Sequence, residues 1–412
     1  MEANHTPPEK TPQTCDVFIA GGGLAGLSLG IQLARAGYRV VLAEKEKYPF
    51  HRVCGEYISM ESWSFLEQLG VPLSTMQVPR ISQLTVTAPN GRKIEHPLPL
   101  GGFGISRYTL DEQLAGIARV AGVTLLEETK VLDMQSSRDL AAAPGSASDR
   151  GPAAPGNQGF PGAALAAVHT SAGTFYARAA VGSFGKRSNL DLRWKRPFTQ
   201  RKAGPLNNYV GVKYHIEYDF PKDRIALHNF SDGYCGISAV EENKYCLCYL
   251  TTAENLRRSD NSIRVMEASV LSRNPYLRDI FARAKFLWQE PVTISQISFE
   301  RKELIRDNTL FCGDAAGMIT PLCGNGMSMA LHGSKILASM LMSYLSGNLD
   351  RDQLENQYSR QWESAFSGRL RTGRIIQSLF GKPGITNAFI RFMEPFPGLV
   401  SALIRGTHGK PF

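Results

Sequence analysis

The sequence predicts an α/β fold (α+β overall). A doubly wound Rossmann-type domain is interleaved with a mostly antiparallel sheet and followed by a helical C-terminal region. Three observations predict it. Asp16 to Glu44 runs apolar strand, Gly-x-Gly-x-x-Gly turn, amphipathic helix, apolar strand and acid, in that order. The segments between Arg193 and Glu300 alternate apolar and polar residues and are rich in aromatics. A further buried strand, Asn308 to Phe311, then runs into the small-residue loop Gly313-Asp314-Ala315-Ala316-Gly317.

Residues 1–14 are polar and read as a flexible tail. Val17 to Ala20 form an apolar run suited to a buried parallel strand. Gly21, Gly23 and Gly26 follow in dinucleotide-binding register, each for its own mechanical reason. Gly21 permits the tight turn, Gly23 lets backbone amides approach a pyrophosphate, and Gly26 lets the helix pack on the strand. Leu24 and Ala25 open the helix N-terminus, where phosphate would sit. Glu44 lies 18 residues beyond Gly26, about where a carboxylate accepts ribose hydroxyls, and Lys45 beside it is grouped with the cofactor site. An acid there argues for a free ribose diol, hence FAD or NAD rather than NADP.

The loop from Lys45 feeds a helix ending near Gly70, with Trp63, Leu66 and Leu69 at helical spacing. Residues 81–100 suggest a β-hairpin turning at Pro89-Asn90-Gly91. A helix from about Tyr108 to Ala121 and a strand at Thr124 to Glu127 come next. Residues 136–164 are rich in Ala, Gly, Pro and Ser without periodicity, and read as a disordered insertion. Strands resume at Ala166 to Thr170, Gly173 to Ala177 and Ala179 to Gly182. Tyr209 to Tyr218, Arg224 to Phe230, Gly236 to Val240 and Lys244 to Thr251 read as an antiparallel sheet, with helical pieces between Asn261 and Ala284. A long helix is expected from about Gly326 to Leu345.

The chain has 412 residues, 43% hydrophobic and 20% charged, the texture of an ordinary globular protein. Its net charge of +9 comes without a long basic run or interleaved aromatics, so no nucleic-acid partner is expected. Seven scattered cysteines do not make a disulfide framework, and no signal peptide or spanning segment is evident, which points to the cytoplasm. No cysteine pair has a zinc spacing, and no metal is assigned.

The chain resembles the two-domain FAD enzymes of the para-hydroxybenzoate hydroxylase fold, and within them it is most similar to the geranylgeranyl reductase family. The matching stretches are Gly21 to Gly26 with Glu44, Arg52-Val53-Cys54-Gly55-Glu56, Arg107 with Leu110-Asp111, Gly233 to Gly236 with Val240-Glu241, Gly313 to Gly317, and Pro321-Leu322-Cys323-Gly324-Asn325-Gly326. The resemblance implies a glutathione-reductase-like FAD domain at 15–80, 101–190 and 301–350. It also implies a substrate domain at 81–100 and 191–300, with a helical region at 351–412. Gly21, Gly23, Gly26, Glu44, Arg107, Gly313 and Asp314 would bind FAD, and the isoalloxazine would lie near Gly324, Asn325 and Gly326. Arg52 would add charge near the flavin or pyrophosphate.

The resemblance has departures. The hydroxylases usually carry Asp-Gly in a loop where this chain has Ser183-Phe184-Gly185, which weakens a hydroxylase-type route for NAD(P)H. The Trp-x-Trp-x-Ile-Pro stretch of flavin halogenases is absent, and Tyr234-Cys235-Gly236-Ile237-Ser238 stands where it might align. Tyr234 and Cys235 are candidate substrate contacts. Cys54 is the candidate catalytic group, either as a proton source or as a small buried hydrophobe. His51, His332 and His408 have no triad-like partners and read as structural.

The expected activity is FAD-dependent reduction of carbon–carbon double bonds in an isoprenoid or other extended apolar substrate, with NAD(P)H or another reductant as electron donor. The alternatives are a flavin monooxygenase acting on an apolar or aromatic substrate, and a non-catalytic flavin-binding electron carrier. The apolar and basic C-terminal tail has two readings: a helical cap on the FAD domain, or an amphipathic surface in peripheral contact with a membrane.

Overall fold

The computed structural model describes residues 13–136 and 166–412, apart from 203 and 205. It is a mixed α/β structure of two sheets with helices packed on each. The opening unit forms as its pattern requires: β1 (Gln13–Ala20) pairs in parallel with β2 (Val40–Ala43), and α1 (Leu24–Arg35) crosses between them. Gly173–Gly182 lies parallel to β1 on its other side, Thr309–Phe311 lies beyond that, and Thr124–Leu126 extends the sheet from β2. The connections therefore reverse direction at β1, and the carboxyl ends of β1, β2, Gly173–Gly182 and Thr309–Phe311 share one edge. That edge is where open α/β sheets hold ligands. α1, Arg107–Val120 and Gly326–Leu345 cover one face through a continuous apolar core.

Residues 173–182 form one strand rather than two, because its pairing with β1 runs from Phe175 to Gly182. Except for Ser136, the Ala- and Gly-rich insertion lies outside the described residues.

The second sheet has nine strands. Its centre is the run Tyr209–Glu217, Tyr245–Thr252, Gly233–Ala239 and Arg224–Phe230, all antiparallel. Arg224–Phe230 then pairs in parallel with Arg80–Thr87, the first arm of the expected hairpin, whose second arm is Lys93–Gly104. The loop after Val53 contributes a short strand, Tyr57–Ser59, that pairs with Gly102–Gly104 at the edge of this sheet. One face of this sheet packs against the helices Ile263–Ser269 and Pro275–Arg283. The other faces the C-terminal helices Arg351–Leu379, Pro383–Met393 and Pro397–Thr407 across a cavity.

Candidate functional site

The first part of the site is a cradle at the shared strand edge. Gly23 precedes α1 with φ −84° and ψ −173°, and no side chain caps the helix. A Cβ at Gly23 would meet only Arg107 Nη2, at 3.8 Å, so the space in front of the amides of Leu24, Ala25 and Gly26 is open. Gly26 is the opposite case. A Cβ there would run into the carbonyl oxygen of Gly21 and lie 2.6 Å from Ser183 Oγ. Phe184 packs beneath Gly21 and against Trp194 and Phe311, a structural position.

Glu44 is buried and accepts from Gly22 N at 2.9 Å, Arg52 Nη2 at 3.0 Å and Glu46 N at 3.2 Å. A carboxylate accepts about four hydrogen bonds, so one position is left for a ribose hydroxyl. Arg52 also donates to Asp111 at 2.9 Å, and Arg107 clamps the same carboxylate through two bonds of 2.8 Å. Arg107 is thereby fixed beside Gly23. Gly313 takes φ +63°, and the half-buried Asp314 carboxylate after it makes no hydrogen bond or ion pair among the described residues. Asp314 and Gly326 line one cleft of about 220 Å³. Gly324 takes φ +64°, and Gly326 opens its helix without a side-chain cap.

An uncapped helix N-terminus, an open glycine cradle, an acid with spare capacity and a second acid whose carboxylate accepts no hydrogen bond suit a dinucleotide with a phosphate bridge. Residues Gly21 to Gly26 would hold the pyrophosphate, Glu44 the ribose, Asp314 the ribityl side, and Gly324 to Gly326 the flavin ring. Lys45 is not brought in; it is exposed and pairs with Glu46 at 3.4 Å. Asn325 is fully buried, and its amide donates to the Thr407 carbonyl at 2.8 Å, fastening the flavin-side loop to the last helix.

The second part is a buried charge cluster. Glu56 is fully buried with φ +56° and accepts from Lys213 Nζ, from His215 Nε2 at 2.6 Å and from Arg107 N at 2.7 Å. Burial alone would raise its pKa, but Lys213 and His215 outweigh it and hold the carboxyl down at about 2. Glu56, His215 and Cys246 place ligand-type atoms within 4.8 Å of one another, yet the Lys213 ammonium already occupies Glu56 and opposes a cation there.

Cys54 lies beside this cluster, half-buried, with its thiol 3.5 Å from Met327 Sδ in the first turn after Gly326. The thiol of Cys246 donates to the Cys54 carbonyl at 3.2 Å. Arg52 is held on Glu44 and Asp111, so the cations within electrostatic reach of Cys54 are Arg107, Lys186 and Lys213.

The third part is apolar. About 830 Å³ of space, part of it open to solvent, lies between the second sheet and the C-terminal helices. Its walls include Leu84, Val86, Ile225 and Leu227 from the sheet and Phe389, Ile390, Leu403 and Ile404 from the helices, and Tyr57 and Gly324, which touch each other, also line it. The Tyr57 hydroxyl is buried without a partner among the described residues. His408 also lines the cavity. Its Nδ1 faces the Ile404 carbonyl at 3.0 Å, a contact that makes Nδ1 the donor and leaves the buried Nε2 as an acceptor without a partner.

Cys235 requires correction. It is fully buried in the core between the sheet and the helices Ile263–Ser269 and Pro275–Arg283, away from the cavity. Tyr234, on the opposite face, packs with Leu322 and Phe380 under the flavin-side loop. Lys213, His215 and Trp288 were not among the candidates. The signal was present, since Lys213 and His215 sit two apart on a buried strand and so share one face.

His51 stacks on Tyr108 and lies tilted against Trp288, and burial, aided by Lys213 and His215, lowers its pKa to about 4. Burial alone lowers His228 to about 3, and burial with Arg369 and Lys335 lowers His332 to about 4. Each is kept neutral when folded, while the unfolded chain takes up a proton near pH 6.5. Stability is therefore expected to be fully present above pH 6.5 and to fall as pH drops from there toward about 4. Denaturant midpoints measured across that range check it, and a flat profile contradicts it.

Residues 14–365 match the family described as FAD binding domain, and the chain belongs to that family. It is accordingly an FAD-dependent oxidoreductase with a fold of the para-hydroxybenzoate hydroxylase type. It is 22% identical over 386 residues to flavin-dependent halogenase armH3 of Armillaria mellea, covering 87% of this chain and 73% of that protein. It is 21% identical over 374 residues to menaquinone reductase of Mycobacterium tuberculosis, covering 85% and 82%. Among solved structures it is similar to a geranylgeranyl bacteriochlorophyll reductase-like protein from Thermoplasma acidophilum, with a TM-score of 0.72, 16% identity and 96% of each chain covered.

Proposed function

We propose that the chain reduces carbon–carbon double bonds in an isoprenoid or other extended apolar substrate. The observation that supports this most is the apolar cavity lined by Tyr57 and Gly324, bordering the loop that would hold the flavin ring. A chain-like hydrocarbon fits such walls and has no polar groups for them to desolvate. The names of a menaquinone reductase and of a geranylgeranyl bacteriochlorophyll reductase-like protein, both similar to this chain, favour a reductive reading.

Bound FAD supplies hydride chemistry. The protein's part is to lay the substrate along Leu84, Val86 and Leu227, to exclude water, and to bring one double bond to Gly324. Cys54, next to Met327 in the first turn after Gly326, is the proposed donor of the proton to the second carbon. The electron donor is NAD(P)H or another reductant, so the assay supplies electrons chemically. Polyprenyl compounds of several lengths are incubated with chemically reduced enzyme, and the products are weighed by mass spectrometry. Gain of two hydrogens per double bond supports the proposal; added oxygen or halogen overturns it.

Cys54→Ala is expected to lower turnover about 100-fold, the lower end for loss of a positioned proton donor, with FAD content unchanged. Unchanged turnover would remove Cys54 from the proton path.

A further inference from the structure

We infer that the helices Pro383–Met393 and Pro397–Thr407 dock on the surface of an anionic lipid bilayer. The two helices carry apolar residues on opposite sides. Ile390, Met393 and Ile404 face the cavity. Ile385, Phe392, Phe396 and Leu399 face outward at 45%, 59%, 47% and 46% exposure. With Ile375, these make five of the eleven exposed large hydrophobic residues among the described residues, all within 25 positions of the chain. Phe392 and Phe396 form a single exposed aromatic ridge, with ring centres 5.4 Å apart.

The charge around that ridge selects the partner. Leaving aside Arg369, which pairs with the buried Glu61 at 3.4 Å, residues 371–412 contain six Lys and Arg and one acid, Glu394, a net of +5. Glu394 is itself matched by Arg92 at 3.5 Å. Lys382, Arg391 and Arg405 are exposed on the same helices. An apolar ridge between cations is the pattern of a helix lying in the interface, and each basic residue near an anionic surface strengthens binding roughly fivefold. A second copy is disfavoured as occupant, since a two-fold contact through this patch would bring two basic faces together. Among the described residues no helix is long and apolar enough to cross a membrane, so the contact is peripheral. The docking stands on these surfaces and does not depend on which reaction the flavin performs.

The test uses the flavin-loaded protein and co-sedimentation with vesicles of phosphatidylcholine alone or mixed with phosphatidylglycerol. Binding at least tenfold tighter to the mixed vesicles, weakening with salt, is expected. Phe392→Glu with Phe396→Glu should lose at least tenfold, and Arg391→Glu with Arg405→Glu should abolish the preference for the anionic lipid. Val120→Glu, 91% exposed before substitution and on another helix, should change nothing. All these sites are exposed, so visible flavin absorbance and melting should match the parent. No retention on mixed vesicles, equal retention on both kinds, or retention indifferent to the Phe392 and Phe396 changes overturns the inference. So does a Phe392-dependent dimer in sedimentation velocity without vesicle binding. Vesicle binding is read without turnover, so its failure is separable from failure of the reductase assignment.

Discussion

Glu56→Ala is expected to lower the unfolding free energy by about 3 to 5 kcal/mol. The substitution leaves the Lys213 ammonium buried with no counter-charge and strips a partner from His215 and from the Arg107 amide. Domains are stable by only about 5 to 15 kcal/mol, so this one change would deplete the folded state on mild heating. Glu56→Leu combined with Lys213→Met removes both charges and should recover much of the loss, because the pair's desolvation then disappears with it. Denaturant titration followed by flavin release measures both. If Glu56→Ala unfolds at the parent's midpoint, the cluster does not stabilise the fold.

The same residue sets an acid limit. Its folded pKa of about 2 lies below the ordinary 4.5, so its contribution is present above pH 4.5 and lost as pH falls toward about 2.

Gly23→Val and Gly26→Val should fail in different ways. At Gly23 the added side chain enters open space in front of the helix amides, at a backbone conformation that valine tolerates. The fold should survive while FAD loses at least two charge-assisted hydrogen bonds of about 1.5 kcal/mol each, or roughly 100-fold in affinity. At Gly26 the side chain meets the Gly21 carbonyl and Ser183, so the crossover helix can no longer sit on the sheet and the protein should not accumulate folded. Flavin titration of refolded apoprotein, alongside circular dichroism, separates the two. Normal FAD affinity in Gly23→Val would place the pyrophosphate elsewhere.

Much of the architecture was legible because its signals are local. The glycines of Gly21 to Gly26, the turn at Gly91 and the helix from Gly326 to Leu345 announce themselves within a few residues. The place of Asp314, just past the carboxyl end of the strand Thr309–Phe311, was legible for the same reason. The charge cluster was not, because Lys213 and His215 meet a carboxylate 157 and 159 positions away. Nor was the cavity, whose walls come from residues near 57, 84–98, 225–227, 322–324 and 376–408. Pairing Tyr234 with Cys235 as substrate contacts overlooked strand alternation: adjacent residues point to opposite faces, so both could not reach one site. His408 read as an isolated histidine, and only folding places it in the cavity wall.

The most direct test of the central claim is a single anaerobic turnover. The flavin is reduced chemically, excess reductant is removed, and a polyprenyl substrate is added without oxygen while visible absorbance is followed. Flavin reoxidation by the substrate itself is expected, with one double bond saturated per flavin. Reoxidation only when oxygen is admitted, with oxygen found in the product, would contradict it.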